Sequence, residues 1–212
     1  RRTIRRYQEK DVTPALLNEL MEIACRASTV GTMQTYSVVV TRDAAMKEKL
    51  SPAHFNQPMV KKAPVVLTFC VDLNRFSKWC EQRQAIPGYD NLQWFVTGAV
   101  DALLAAQTFC VAAEEKGLGI CYLGTTTYNP NQIIDALQLP KLVFPITTIT
   151  LGWPDELPEQ VDRLPLEAIL HQETYHDYSV EDIDRLYAYK ESLPENLKFI
   201  ADLKWICIQK LI

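Results

Sequence analysis

Four of the first six residues, Arg1-Arg2-Thr3-Ile4-Arg5-Arg6, are arginines. A guanidinium group meets phosphate oxygens through parallel N–H donors, so a cluster of this kind suits one small phosphate. In an extended segment alternate residues point the same way, which lets Arg1, Thr3 and Arg5 converge while Arg2 and Arg6 face away. The cluster also divides the charge. A net −4 over 212 residues is +4 on residues 1–6 and −8 on the remaining 206. Nucleic-acid binding would want further basic density and exposed aromatics, against which the acidic body argues. A membrane-surface role would want a longer amphipathic helix. A merely solvated basic terminus stays open at this point.

Other chemistry is thinly represented. The six cysteines (Cys25, Cys70, Cys80, Cys110, Cys121, Cys207) include no C-x-x-C pair, and His54, His171 and His176 form no recognisable metal set. No Ser, Cys or His triad stands out, so neither a metal nor a proton-transfer side chain is expected. Cys70, Cys110 and Cys121 lie in apolar runs, as reduced core thiols of a cytoplasmic protein would. The stretch from Trp94 to Ala113 is long and apolar, but Thr97, Asp101, Gln107 and Thr108 interrupt it. It reads as a buried helix and not a membrane span. No signal peptide is visible, although an opening at Arg1 instead of Met leaves room for residues ahead of it.

These side chains need elements to position them. Thr13-Pro14 caps a helix running to about Ala27, and Ser28 to Thr32 forms a polar loop before a strand at Tyr36–Thr41. A short helix from Asp43 and another through Phe55–Lys62 precede a continuous apolar strand, Val65–Val71. The longest helical pattern, residues 90–116, is apolar nearly all round and therefore central. It gives way at Gly117-Leu118-Gly119 to a strand at Ile120–Leu123. A helix from Asn129-Pro130 through Leu137, a strand at Phe144–Leu151, a proline-rich loop at Pro154–Pro165 and a helix from Ser179 to Ser192 follow. This alternation implies one α+β or α/β domain over residues 1–212 with a central sheet. Asp72 and Arg75 read as a structural loop pair.

Several motifs, in order, resemble the FMN-dependent nitroreductase family, and within it the oxygen-insensitive NADPH nitroreductase and flavin reductase branch. They are Arg2-Thr3-Ile4-Arg5, Arg26-Ala27-Ser28-Thr29 with Met33-Gln34, and Asn56-Gln57 before Ala63-Pro64. Phe69 to Arg75, Gly117 to Gly124, Leu151-Gly152-Trp153-Pro154 and Arg163-Leu164-Pro165 continue the series. The resemblance implies an α+β nitroreductase-like fold: a central mixed β-sheet flanked by helices, a long buried central helix, and FMN at the interface of a homodimer. It gives Arg1, Arg2, Thr3 and Arg5 the FMN phosphate, joined by Arg163 from a distant loop. Thr29 and Gln34 line the ribityl chain and ring edge, and Gln57 stands beside the flavin. Tyr122, Leu123, Gly124 and Thr125 form a strand end whose backbone meets the isoalloxazine. A glycine at 124 removes the Cβ that would obstruct a flat ring, and the amides and hydroxyl can satisfy the ring's polar edge.

The implied activity is hydride transfer from NADPH or NADH through FMN to nitroaromatics, quinones or flavins in a ping-pong sequence. Small-molecule acceptors are the expected partners, with no nucleic acid and no membrane. Two departures stand out. Val161 takes a position two before Arg163 that is often basic in relatives, and residues 195–212 form a short, apolar, strand-like tail or dimer arm without arginine. An FMN-binding sensor or carrier without turnover is the alternative.

Overall fold

The computed structural model describes residues 1–194, Asn196 and Leu197. The tail or dimer arm expected at 195–212 otherwise lies outside the described residues. The chain divides into two compact units, Arg1–Glu159 and Gln160–Ile212.

In the first unit helix α1 spans Pro14–Ala24, with the Thr13 hydroxyl accepting from the Leu16 N–H at 3.2 Å. Strand β1 (Tyr36–Thr41) leads to α2 (Ala44–Leu50), capped by Asp43. A 3-10 turn at Ser51–His54 precedes helix α3 (Pro58–Lys62), which starts three residues later than the helix expected at Phe55–Lys62. The reason is local: Phe55 and Asn56 take left-handed φ values of 53° and 54°. Pro58 also disfavours helical backbone at the residue before it, and Gln57 is extended.

Strand β2 (Val65–Asp72) precedes α4 (Asn74–Gln82), a polar helix that periodicity did not suggest. Helix α5 (Leu92–Glu115), strand β3 (Gly119–Leu123), α6 (Pro130–Leu137) and β4 (Val143–Gly152) complete the unit. The order in the sheet is β1-β2-β4-β3.

Among the described residues all three pairings are antiparallel, where a mixed sheet was expected. The continuous burial of β2, which often marks a parallel sheet, arises here because helices cover both faces. Side chains alternate along a strand. Ile120 accordingly packs with Leu17, Leu20, Phe109 and Ile149 on the α1–α5 side. Its neighbours Cys121 and Leu123 pack with Leu50, Val60 and Ile133 on the other.

Helix α5 has two unlike faces. Gly98, Asp101, Ala102, Ala105, Ala106, Phe109, Cys110, Ala112 and Ala113 are buried against the sheet and α1. Leu92, Val96, Val100, Leu103, Leu104 and Val111 are exposed. The helix is therefore central but buried along one face only. By length and composition it could cross a membrane; in this structure its small-residue face lies on a sheet. Gly117 ends it at φ +80°. Gly119, expected to help terminate the helix, instead sits in β3 and makes room for Ile4: a Cβ there would come within 2.8 Å of that side chain.

In the second unit, α7 (Val180–Ser192) starts with a capping box in which Ser179 and Asp182 satisfy each other's backbone N–H groups. Lys190 Nζ pairs with Asp162 at 2.6 Å.

Candidate functional site

The N-terminal segment lies along β3. The Ile4 N–H donates to Ile120 O at 2.9 Å, and Ile4 fills the slot beside Gly119. Further on, the Tyr7 hydroxyl donates to Ile4 O at 2.7 Å, with Thr150 Oγ1 also 2.7 Å away. The Gln8 N–H donates to Trp153 O at 2.9 Å. This anchoring presents the arginines at the β3 edge. The Arg1 guanidinium stands 5.2 Å from the centre of the Tyr122 ring, and its Nε is 3.5 Å from Glu114 Oε1. Arg2 and Arg5 are exposed.

Burial pushes the Cys121 thiol up, while Arg5 and Arg1 pull it the other way, so both cations bear on this strand. Arg6 turns to Glu156, donating from Nε to Oε2 at 3.0 Å. Glu156 Oε1 also accepts the backbone N–H groups of Arg5 and Arg6, at 2.6 and 3.1 Å. Those bonds, Arg5's first, hold the Glu156 carboxyl below its usual value. Glu156 thus fixes the segment's backbone and occupies Arg6; Arg1 is held between Glu114 and the Tyr122 ring, and Arg2 and Arg5 remain as the exposed cations of the cluster.

At its other end β3 runs out at Leu123 into Gly124 and Thr125. A Cβ placed on Gly124 would meet nothing within 4 Å, so the backbone there borders open space. Four residues of strand separate Ile120 from Gly124, about 13 Å, the scale of a polyol phosphate attached to a flat ring. Leu123 is buried in the core and offers only its backbone. Tyr122 is half-buried, its hydroxyl 3.4 Å from Gln107 Oε1, and burial raises it well above the ordinary phenol range. Gln57 belongs to the same corner: its N–H donates to His54 O at 3.1 Å, and His54 Nδ1 lies 2.9 Å from Thr125 Oγ1.

Thr29 and Gln34 sit elsewhere. Their loop leads into β1, at the opposite edge of the sheet, some three strand spacings or ~14 Å from β3. Asp101 of α5, 2 % exposed, holds this loop. Its carboxylate accepts from Thr29 Oγ1 (2.6 Å), Val30 N (3.1 Å), Thr35 N (3.2 Å) and Thr35 Oγ1 (2.7 Å). Arg75 grips the same loop from outside, through Gln34 O and, at 3.2 Å, Tyr36 O.

Asp72 holds the Arg75 N–H at 3.0 Å, so the expected pair exists but works at the start of α4. Asp101 and Arg75 shape the loop without having been singled out for it. The signal in Asp101 was a lone carboxylate inside an apolar helix, which a membrane argument uses only as an interruption.

Residues Arg1, Arg2, Thr3, Arg5, Gln57, Tyr122, Leu123, Gly124 and Thr125 therefore share one edge of the first unit, and Thr29 and Gln34 share another. Arg163 belongs to the second unit, where its guanidinium donates to the carbonyl of Asp162 at 2.7 Å.

Two core thiols are poor nucleophiles: burial pushes those of Cys70 and Cys110 up to about 12 and about 11. Among the described residues no group of three His, Cys, Asp or Glu side chains could hold a metal ion.

Residues 1–153 match the model of the nitroreductase family. The chain is 35 % identical over 196 residues to an FMN reductase [NAD(P)H] of Bacillus subtilis, covering 92 % of this chain and 78 % of the relative. To an oxygen-insensitive NADPH nitroreductase of Salmonella typhimurium it is 31 % identical over 194 residues, with the same two coverages. Among solved structures, a Bacteroides fragilis protein described as a candidate oxidoreductase is 70 % identical. It superposes with a TM-score of 0.93 over 96 % of this chain and 83 % of its own. The chain belongs to the nitroreductase family and has its fold. It is an oxidoreductase.

Proposed function

We propose that this protein is an FMN-dependent oxidoreductase that takes electrons from NAD(P)H and delivers them to small electron acceptors in a ping-pong sequence. Bound FMN would supply the two-electron chemistry that links oxidation of NAD(P)H to reduction of a nitroaromatic, a quinone or another flavin. The chain's own residues bind and orient the participants. Arg1, Arg2, Thr3 and Arg5 supply the donors for the phosphate. The Gly124 and Thr125 backbone provides the flat contact for the ring, and Gln57, Thr29 and Gln34 supply polar groups for its edge and the ribityl chain. The observation that carries this reading is the β3 edge: exposed arginines beside Ile120 and, four residues along, a glycine with open space where its Cβ would be.

The separation of the loop bearing Thr29 and Gln34 from that edge argues for a homodimer. In a two-fold assembly the loop of one subunit reaches the β3 edge of the other. The exposed apolar face of α5 borders that loop, since Val96, Val100 and Leu104 line a cleft of about 330 Å³ with Ser28 and Thr29. A contiguous apolar stripe on a helix surface calls for a partner. The compartment we infer is the cytoplasm, in keeping with the five free cysteines of the described residues.

Purified protein should be yellow, with about one FMN per chain, and should bleach on anaerobic addition of NADPH or NADH. A preparation that stays colourless with added FMN would overturn the assignment. One that holds FMN but is reduced by neither nucleotide would overturn the electron-transfer role.

A further inference from the structure

His54 closes the 3-10 turn Ser51–His54 and is fully buried. Its Nδ1 is 2.9 Å from Thr125 Oγ1, and its Nε2 is the one buried side-chain nitrogen or oxygen among the described residues without a hydrogen-bond partner. Desolvation lowers its pKa to about 4, so the ring is neutral and carries a single N–H. That proton can sit on either nitrogen. On Nε2 it would be a buried donor facing nothing; on Nδ1 it makes the bond to Thr125 and leaves Nε2 with only a bare lone pair. In either tautomer the Nδ1–Thr125 Oγ1 bond is made, because the Thr125 hydroxyl can donate or accept, and Nε2 is the nitrogen left without a partner.

Two further contacts join the same two pieces of chain. The Phe55 and Tyr128 rings meet edge to face with centres 5.9 Å apart, and Asn129 Nδ2 donates to Ala53 O at 3.3 Å. Within the turn that follows β3, Thr126 Oγ1 donates to Leu123 O at 2.9 Å, and the Tyr128 N–H donates to Thr125 O at 3.1 Å. His54 is the buried member of this latch, and it ties the residue after Gly124 to the corner that carries Gln57.

We propose that His54 is a positioning residue: through its Nδ1 hydrogen bond to the Thr125 hydroxyl it fixes the Gly124–Thr125 backbone and Gln57 in the mutual placement that FMN requires. The inference rests on the reading of that turn as the flavin contact. No proton transfer is involved.

The test compares His54→Leu, His54→Asn, Thr125→Val and Gly124→Val in the full chain, reading FMN affinity by fluorescence, the flavin absorption maximum and the flavin midpoint potential. An asparagine amide falls near the place of Nδ1, whereas leucine keeps the volume without the hydrogen bond. His54→Leu and Thr125→Val should each weaken FMN binding roughly tenfold, the worth of one such hydrogen bond. Both should shift the absorption maximum and potential alike, and the double variant should be no worse than either. His54→Asn should recover most of the affinity and the spectrum.

Folded His54→Leu with unchanged affinity and spectrum, or His54→Asn as impaired as His54→Leu, would overturn the proposal. Should His54→Leu not fold, Thr125→Val breaks the same bond from the outer side, and its behaving as wild type is equally fatal. Gly124→Val separates the two levels. If it abolishes FMN binding while His54→Leu and Thr125→Val bind normally, only the latch is wrong; if it too binds FMN normally, the flavin reading of the turn falls and the latch with it.

Discussion

Two arginines adjacent in sequence have different fates because one of them meets a carboxylate. Glu156 takes the Arg6 side chain and the backbone N–H groups of Arg5 and Arg6, and leaves the Arg5 side chain exposed. Arg5→Ala and Arg2→Ala should therefore each weaken FMN retention by ~1.5–3 kcal/mol, the worth of a charge-assisted hydrogen bond, in equilibrium titrations of apoprotein. Arg6→Ala should change it little. If Arg6→Ala is the damaging substitution, the assignment of the cluster is inverted.

His54 makes a pH prediction at the same scale. Its folded pKa of about 4 lies below the ordinary 6.5, so above pH 6.5 both folded and unfolded chains hold it neutral and it contributes no pH dependence. As pH falls from 6.5 towards 4 only the unfolded chain takes up the proton, and stability drops by up to about 3 kcal/mol. Denaturant unfolding at pH 7.5 and pH 4.5 should show this loss, and His54→Asn should show less of it.

At the scale of elements, α5 is the organiser. Its buried face carries one carboxylate, and Asp101 accepts four hydrogen bonds from residues 29–35. Asp101→Ala would strand two hydroxyls and two N–H groups, costing about 3 kcal/mol of stability. It should also loosen the Thr29–Gln34 loop, read as faster amide exchange confined to residues 28–35. Exchange that rises evenly over the whole unit would count against a local role.

Most element positions were legible from sequence. Strand Tyr36–Thr41, the Thr13 and Asp43 caps and the Ser179 start of α7 follow from patterns only a few residues long. The exclusion of Phe55 and Asn56 from α3 was not legible, because a positive φ at a non-glycine residue is imposed by packing. Helix α4 was missed for a different reason. It is nine residues long and polar on average, with Phe76, Trp79 and Cys80 giving an apolar stripe of a single turn.

For the whole molecule the open question is assembly, and α5 again supplies the handle. If a second copy covers Val96, Val100, Leu103, Leu104 and Val111, the wild-type protein should run as a dimer in light scattering. Leu103→Glu with Leu104→Glu should yield monomers that have also lost FMN, since Thr29 and Gln34 would no longer reach the partner's β3 edge. Monomers that keep full FMN affinity would mean that one chain completes the site alone.

By itself the sequence determined the family, the arginine cluster and the glycine turn, because each is carried by residue types at short, fixed spacings. The tertiary structure decided which of those residues meet. Strand order set Thr29 and Gln34 at one edge of the sheet and Gly124 at the other; Glu156 chose between neighbouring arginines; burial made His54 neutral and gave it Thr125 as a partner. These outcomes depend on contacts between segments tens of residues apart, whose directions no local periodicity encodes.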